Sequence, residues 1–252
     1  MPRILITGCS SGFGLAITHH FLDQGWDVIA TARHPAAADL PAHDHLTFLA
    51  LDVTDPNSIA AAIAQAGPID ALVNNAGVGM LNVLEGVNMI KAREVFETNV
   101  LGTIAVTQAV MPIMREQRSG VIINISSSVT LRPLPALSVY SASKAAVNAF
   151  TQSLALEAAE FGIRVGLVFP GSAPTTSFGK NAVARMGMDV PAPYSAFVQN
   201  YFQSLQSATE KTQSDDVAKA VWRAVTGAQT PMMLPAGADA ITWFREAGYT
   251  TQ

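Results

Sequence analysis

Short, uninterrupted apolar runs recur along the chain, with longer amphipathic stretches between them. The runs are Ile4-Leu5-Ile6, Val28-Ile29-Ala30, residues 46–51, Ala71-Leu72-Val73, Val121-Ile122-Ile123 and residues 165–169. They do not alternate apolar with polar, as a strand with one wet face would. Continuous runs fit strands covered on both faces, as in a parallel sheet. Helix-like stretches lie near 13–24, 55–66, 89–117 and 140–161. Asp55 before Pro56 reads as a helix start, with the aspartate as cap and proline in the first turn. Strand–helix alternation of this kind predicts an α/β fold with a doubly wound, mostly parallel sheet. No linker separates a second unit, so residues 1–252 are expected to form a single domain.

The pattern changes after Phe169. Pro170, Gly171, Pro174, Gly179, Gly187, Pro191 and Pro193 punctuate a stretch with no strand period. Phe178, Tyr194, Phe197, Tyr201 and Phe202 lie in or just beyond it and favour order over a disordered insertion. A long irregular segment after a late strand often covers a site, so a substrate lid is expected over about 172–210.

Composition narrows the function classes. Of 252 residues, 49% are hydrophobic and 13% charged, which excludes an intrinsically disordered chain. The single cysteine, Cys9, cannot close an intramolecular disulfide, which excludes a disulfide-built secreted scaffold. Fifteen basic against nineteen acidic residues give a formal net charge of −4, which makes nucleic acid and anionic membrane poor partners. The first strand begins at Arg3 with no room before it for a signal segment, and no apolar stretch reaches the ~18 residues of a membrane span. A soluble, cytoplasmic protein is expected.

Three motifs carry candidate chemistry. Thr7-Gly8-Cys9-Ser10-Ser11-Gly12-Phe13-Gly14 joins the first strand to the first helix. Glycines there permit a tight turn and close approach of a pyrophosphate, while the helix start offers amide donors and a positive dipole end. This makes the predicted sheet Rossmann-like. No lysine of a nucleoside-triphosphate loop is present in the turn, which disfavours ATP or GTP hydrolysis. Tyr140-Ser141-Ala142-Ser143-Lys144 places Tyr140 and Lys144 on one helix face, where an ammonium beside a phenol lowers its pKa. An isolated pair of this spacing is also a common surface feature. Ser126-Ser127-Ser128 closes the strand at 121–125, at the sheet edge where sites of such folds gather. Serine clusters also simply form turns, and local sequence does not single out one of the three.

Together these residues resemble the short-chain dehydrogenase/reductase family over most of the chain. The glycine turn, Asn74-Asn75-Ala76-Gly77, Asn99, a serine, Tyr140, Lys144 and Pro170-Gly171 follow in that family's order. Ser127 precedes Tyr140 by 13 positions, the family's usual separation, which selects it from its neighbours. The resemblance implies that Tyr140 exchanges a proton with a carbonyl or alcohol oxygen, and that Ser127 orients that oxygen. It implies that Lys144 binds the nicotinamide ribose and lowers the tyrosine pKa, and that Asn99 holds a water behind it. It places Gly8, Ser10, Gly12, Phe13, Gly14, Asp52, Val53, Asn75, Ala76, Gly77, Pro170, Gly171 and Thr175 around the dinucleotide. Ser172-Ala173 stand where the family usually has a larger apolar residue.

The cofactor choice follows from the end of the second strand. Ala32 stands where family members using NAD usually carry Asp, and Arg33 can pair with a 2′-phosphate. NADPH is therefore expected over NADH, although Ser11 departs from the second basic residue of some NADP enzymes. The His43-Asp44-His45 run is read as a loop, so no metal site is expected. His19, His20, Met186 and Met188 are read without chemical roles.

The reading is an NADP(H)-dependent oxidoreductase that interconverts a ketone or aldehyde and an alcohol. The alternative is a non-catalytic NADP-binding regulator; a longer epimerase-like relative is disfavoured by glycine spacing and length. Candidate apolar walls are Val78, Met80, Leu131, Leu134 and Leu137, with Phe178, Met186, Met188, Tyr194 and Phe197 from the lid, so an apolar substrate is expected. Segments 101–114 and 145–159 are apolar around most of their circumference, more than one sheet can cover. A homodimer or, by family resemblance, a homotetramer is expected.

Overall fold

The computed structural model describes residues 1–34, 40, 42–174, 176, 190–207 and 209–250. Its strands are β1 (Arg3–Ile6), β2 (Asp27–Ala32), β3 (Leu46–Ala50), β4 (Ala71–Asn74), β5 (Gly120–Ile125), β6 (Ile163–Pro170) and β7 (Met233–Ala236). Its helices are α1 (Gly12–Asp23), α2 (Pro56–Ala66), α3 (Met89–Phe96), α4 (Gly102–Gln117), α5 (Ser138–Ala159), α6 (Ser195–Ser207), α7 (Ser214–Thr226) and α8 (Ala238–Glu246). The strands form one sheet in the order β3-β2-β1-β4-β5-β6-β7, every neighbouring pair parallel.

The apolar runs of β1, β2, β4, β5 and β6 are buried on both faces, while edge strand β3 is half-buried to exposed; alternation within a run decides which face a residue serves. Ile4, Ile6, Val28, Ala30 and Val73 pack with Ile17 and Phe21 of α1 and Val217 and Val221 of α7. Leu5, Ile29 and Leu72 pack on the other side with Ile59 of α2, Val106 and Val110 of α4 and Leu154 of α5. Phe21, Trp26 and Trp222 meet edge-on, with ring centroids 5.1 to 6.0 Å apart, and tie α1 to α7. The chain winds outward from β1 in both directions. That reversal opens a crevice at the carboxyl ends of β1 and β4, the usual place for a ligand in such sheets.

Two departures from the expected elements bear on the site. The stretch 89–117 is not one continuous helix: a π turn, Glu97–Leu101, separates α3 from α4. Asn99 sits in that turn, where its side chain is held by both the N–H and the C=O of Val78. Single π turns inside helices recur at functional positions because the wider turn re-aims one side chain. The second departure is β7 with its flanking helices, which the apolar runs did not announce. β7 is four residues long and contains Pro235, tolerable because the strand lies at the sheet edge.

Candidate active site

The glycine turn is shaped by contacts that leave no room for side chains. Gly8 has φ of +75°, and a Cβ there would sit 2.8 Å from the Ala76 Cα. A Cβ on Gly14 would overlap the Gly8 carbonyl oxygen. Asn75 locks the turn from the side: its Nδ2 donates to the Thr7 and Gly8 carbonyls at 2.9 and 3.1 Å. The Thr7 hydroxyl in return accepts from the Asn75 and Ala76 amides, both at 3.0 Å. Asn75-Ala76-Gly77 is thus built against the glycine turn.

Ser11 caps α1 with extended backbone but without a side-chain hydrogen bond, and the first turn carries no acid. Ser11 leaves those first-turn amides to other acceptors, such as a pyrophosphate. Ser10 is exposed and Phe13 half-buried beside the turn. Cys9 is buried, its thiol bonded to the Ile6 carbonyl and pushed up to about 11 by burial. It packs the turn and does not act as a thiolate. Thr176 hangs over the turn from the other side, its methyl 3.6 Å from where a Gly12 Cβ would be.

Arg33 is exposed one residue past the end of β2, and Ala32 is buried. Asp52 follows β3; its Oδ1 accepts from the Thr54 amide and hydroxyl at 2.9 and 2.8 Å, so one carboxylate oxygen organises its own turn. Val53 packs against Gly102, where a Cβ would meet the Val53 Cγ2 at 2.7 Å. These residues line the carboxyl ends of β2 and β3 and fit the adenosine half of a dinucleotide.

The proposed catalytic side chains converge at the ends of β4 and β5. Ser127 follows β5 with extended backbone; its hydroxyl accepts from the Val129 amide at 3.4 Å and lies beside the Tyr140 phenol, whose pKa it lowers. Tyr140 is buried; burial pushes its phenol well above the ordinary value, and the neighbouring Ser127 hydroxyl offsets only part of that rise. Burial, not the expected Lys144 charge, is the largest influence on this phenol. The Lys144 ammonium donates to the Ile125 carbonyl at 2.8 Å, and burial brings it down to about 8. Asn99 donates to Val78 and to the Ser143 hydroxyl at 2.9 and 3.1 Å. A Cβ on Gly77 would lie 3.3 Å from the Asn99 Oδ1 and 3.6 Å from the Lys144 Nζ, so Gly77 gives these two side chains room.

Pro170 ends β6, and the Gly171 amide donates to the Thr212 hydroxyl at 2.9 Å. The buried Asp239 carboxylate accepts from the Ser172 amide at 2.6 Å and from the Thr212 hydroxyl at 2.7 Å. Thr212 and Asp239 therefore hold the Gly171–Ser172 segment from 41 and 67 residues away, and local sequence carries no sign of it. Thr175, Phe178, Met186 and Met188 lie outside the described residues. Of the expected apolar walls, Met80 is packed with Ala92 and Val95, while Leu134, Leu137 and Tyr194 are half-buried and Phe197 is exposed. Among the described residues no group of three or more His, Cys, Asp or Glu could hold a metal, and no helix is long and apolar enough to cross a membrane.

The sheet order, the glycine turn and the Ser127–Tyr140–Lys144 cluster define a dinucleotide-binding oxidoreductase. The chain belongs to the short chain dehydrogenase family, whose model matches residues 2–186. "Uncharacterized oxidoreductase YusZ" of Bacillus subtilis is 41% identical over 82% of this chain and 76% of its own. "Retinol dehydrogenase 8" of Bos taurus is 34% identical over 92% of this chain and 80% of its own. A short-chain dehydrogenase structure from Streptomyces avermitilis superposes with a TM-score of 0.84 at 35% identity, over 97% of this chain and 91% of that one. A Burkholderia cenocepacia short chain dehydrogenase in complex with NADP gives 0.80 at 26% identity, over 98% and 92%.

Proposed function

We propose that this oxidoreductase uses NADP(H) to interconvert an apolar ketone or aldehyde with the corresponding alcohol. The observation that carries the reading is the Ser127 hydroxyl beside a buried Tyr140 phenol, with the buried Lys144 one helical turn further along α5. The cofactor's nicotinamide, when bound, supplies or takes up the hydride. Tyr140 keeps its proton because burial disfavours the phenolate, so it is ready to donate to a carbonyl oxygen. Ser127 places a second donor toward the same oxygen, where negative charge develops. Lys144 and Asn99 stand behind Tyr140, the first toward the ribose and the second in the proton path.

Arg33, with no acid at Ala32, supports NADPH over NADH. The half-buried Leu131, Leu134 and Leu137, and a relative named for retinol, support an apolar substrate. Exposed Leu101 and Leu156 support a homo-oligomer, and the protein is read as cytoplasmic. The test is cofactor oxidation with a panel of carbonyl compounds. Faster turnover of alicyclic or aromatic ketones with NADPH than of charged sugars with NADH is expected. Cofactor binding without turnover of any carbonyl or alcohol would favour the regulator reading.

A further inference from the structure

We infer that Asn148 is a positioning residue that holds Ser127 against Tyr140, by bridging the residues on either side of that serine. The inference rests on the proposed role of Ser127. Asn148 lies on α5 one turn beyond Lys144 and two beyond Tyr140, so the three side chains share a face. Each ties α5 to the segment 125–130. Tyr140 meets the Ser127 hydroxyl, and Lys144 donates to the Ile125 carbonyl. Asn148 reaches both ends of the turn: its Oδ1 accepts from the Ser126 hydroxyl, and its Nδ2 donates to the Thr130 Oγ1 at 3.1 Å.

The second arm continues to the serine itself. The Thr130 hydroxyl donates to the Ser127 carbonyl at 2.9 Å, and the Thr130 amide does so at 3.2 Å. One carboxamide, using both its acceptor and a donor, thus spans the peptide that carries Ser127. The arrangement is directional: an aliphatic side chain could fill the space but could satisfy neither Ser126 nor Thr130. Without it the turn can pivot about β5, and the Ser127 hydroxyl loses its fixed distance to the phenol. A misplacement of about 1 Å at a reacting centre can cost about 100-fold in rate.

The test is a double-mutant cycle on the full chain with an active carbonyl substrate. Asn148→Ala is expected to lower kcat about 10- to 100-fold, with the NADPH dissociation constant within about twofold of wild type. In a Ser127→Ala background the same change should cost less than about twofold, because the residue it positions is gone. Ser126→Ala breaks one arm only, removes no large side chain, and should lower kcat by a smaller factor. Equal losses from Asn148→Ala in both backgrounds, or a loss seen only as weaker cofactor binding, overturns the inference. If Ser127→Ala itself leaves turnover unchanged, the underlying functional reading fails instead. Should Asn148→Ala not fold, Ser126→Ala decides: unchanged kcat in that variant overturns the inference.

Discussion

Lys144 donates from a buried ammonium to the carbonyl oxygen of Ile125, 2.8 Å away. Burial lowers its pKa from 10.5 to about 8. The folded chain therefore holds this proton less well than the unfolded chain does. Between about pH 8 and 10.5 the unfolded state binds more protons at this residue, so its contribution to stability rises with pH. Cys9 and Tyr140, both raised, titrate in the opposite sense at the alkaline end. Lys144→Met isolates the lysine. The wild type should gain stability relative to that variant as pH climbs through the window, and be flat below it, in urea unfolding without cofactor.

Tyr140→Phe removes one oxygen and should leave the fold intact. Turnover should fall about 10²- to 10⁴-fold, the usual value of positioned proton transfer. The NADPH dissociation constant should stay near wild type. Turnover within about threefold of wild type would falsify the assignment of Tyr140 as proton donor.

Arg33 is exposed at the end of β2, where a 2′-phosphate would distinguish NADPH from NADH. Arg33→Ala should weaken NADPH about 10- to 100-fold, the range of a hydrogen bond to a charged group. NADH binding should barely change. Titration of both cofactors into both proteins measures the difference; equal losses would make Arg33 structural.

Gly171 touches Asp239 so closely that an added Cβ would overlap the carboxylate. Gly171→Ala should destabilise the fold by about 1–3 kcal/mol, as overpacking does. Asp239→Ala should also destabilise, because it strips the Ser172 amide and the Thr212 hydroxyl of an acceptor. Combined, the two should cost less than their sum, since the second removes the atoms with which the first collides. Denaturant midpoints of the four proteins test this.

Leu156 on α5 is 77% exposed and Leu101 in the π turn is 51% exposed. In the proposed homo-oligomer a second subunit would cover these side chains. Sedimentation should show a species larger than 26.5 kDa, and Leu156→Asp should shift it toward monomer. A wild type that sediments only as monomer at micromolar concentration removes the oligomer from the account.

The parts of the site readable beforehand are the local ones. The glycine turn needs only that Gly8 and Gly14 lie between a strand and a helix, and both conditions are written within a dozen residues. Tyr140 and Lys144 follow from helical spacing. The choice of Ser127 over its neighbours came from the separation that the family resemblance implies, and the three serines differ in their surroundings. Ser126 turns its hydroxyl to Asn148, Ser127 turns to Tyr140, and Ser128 is buried in the short turn. Asn148 was within reach of the same spacing argument, as Lys144 plus one helical turn. Likewise α7 buries Val217, Ala218, Val221, Ala224 and Val225, a helical period legible in the chain but not drawn on.

By itself, then, the sequence determined the strand runs, the parallel α/β class, the glycine turn and the Tyr140–Lys144 face. Each depends on a period or spacing that backbone geometry imposes locally. Only the tertiary structure decided which face of the sheet Leu5 and Ile6 serve, the π turn that aims Asn99, and the Asp239–Thr212 hold on Gly171 and Ser172. It also decided the balance at Tyr140, where burial outweighs the neighbouring Ser127 hydroxyl. These depend on how much water is excluded and on which distant residues meet, and contacts 67 residues apart leave no mark on either partner's neighbours in the chain.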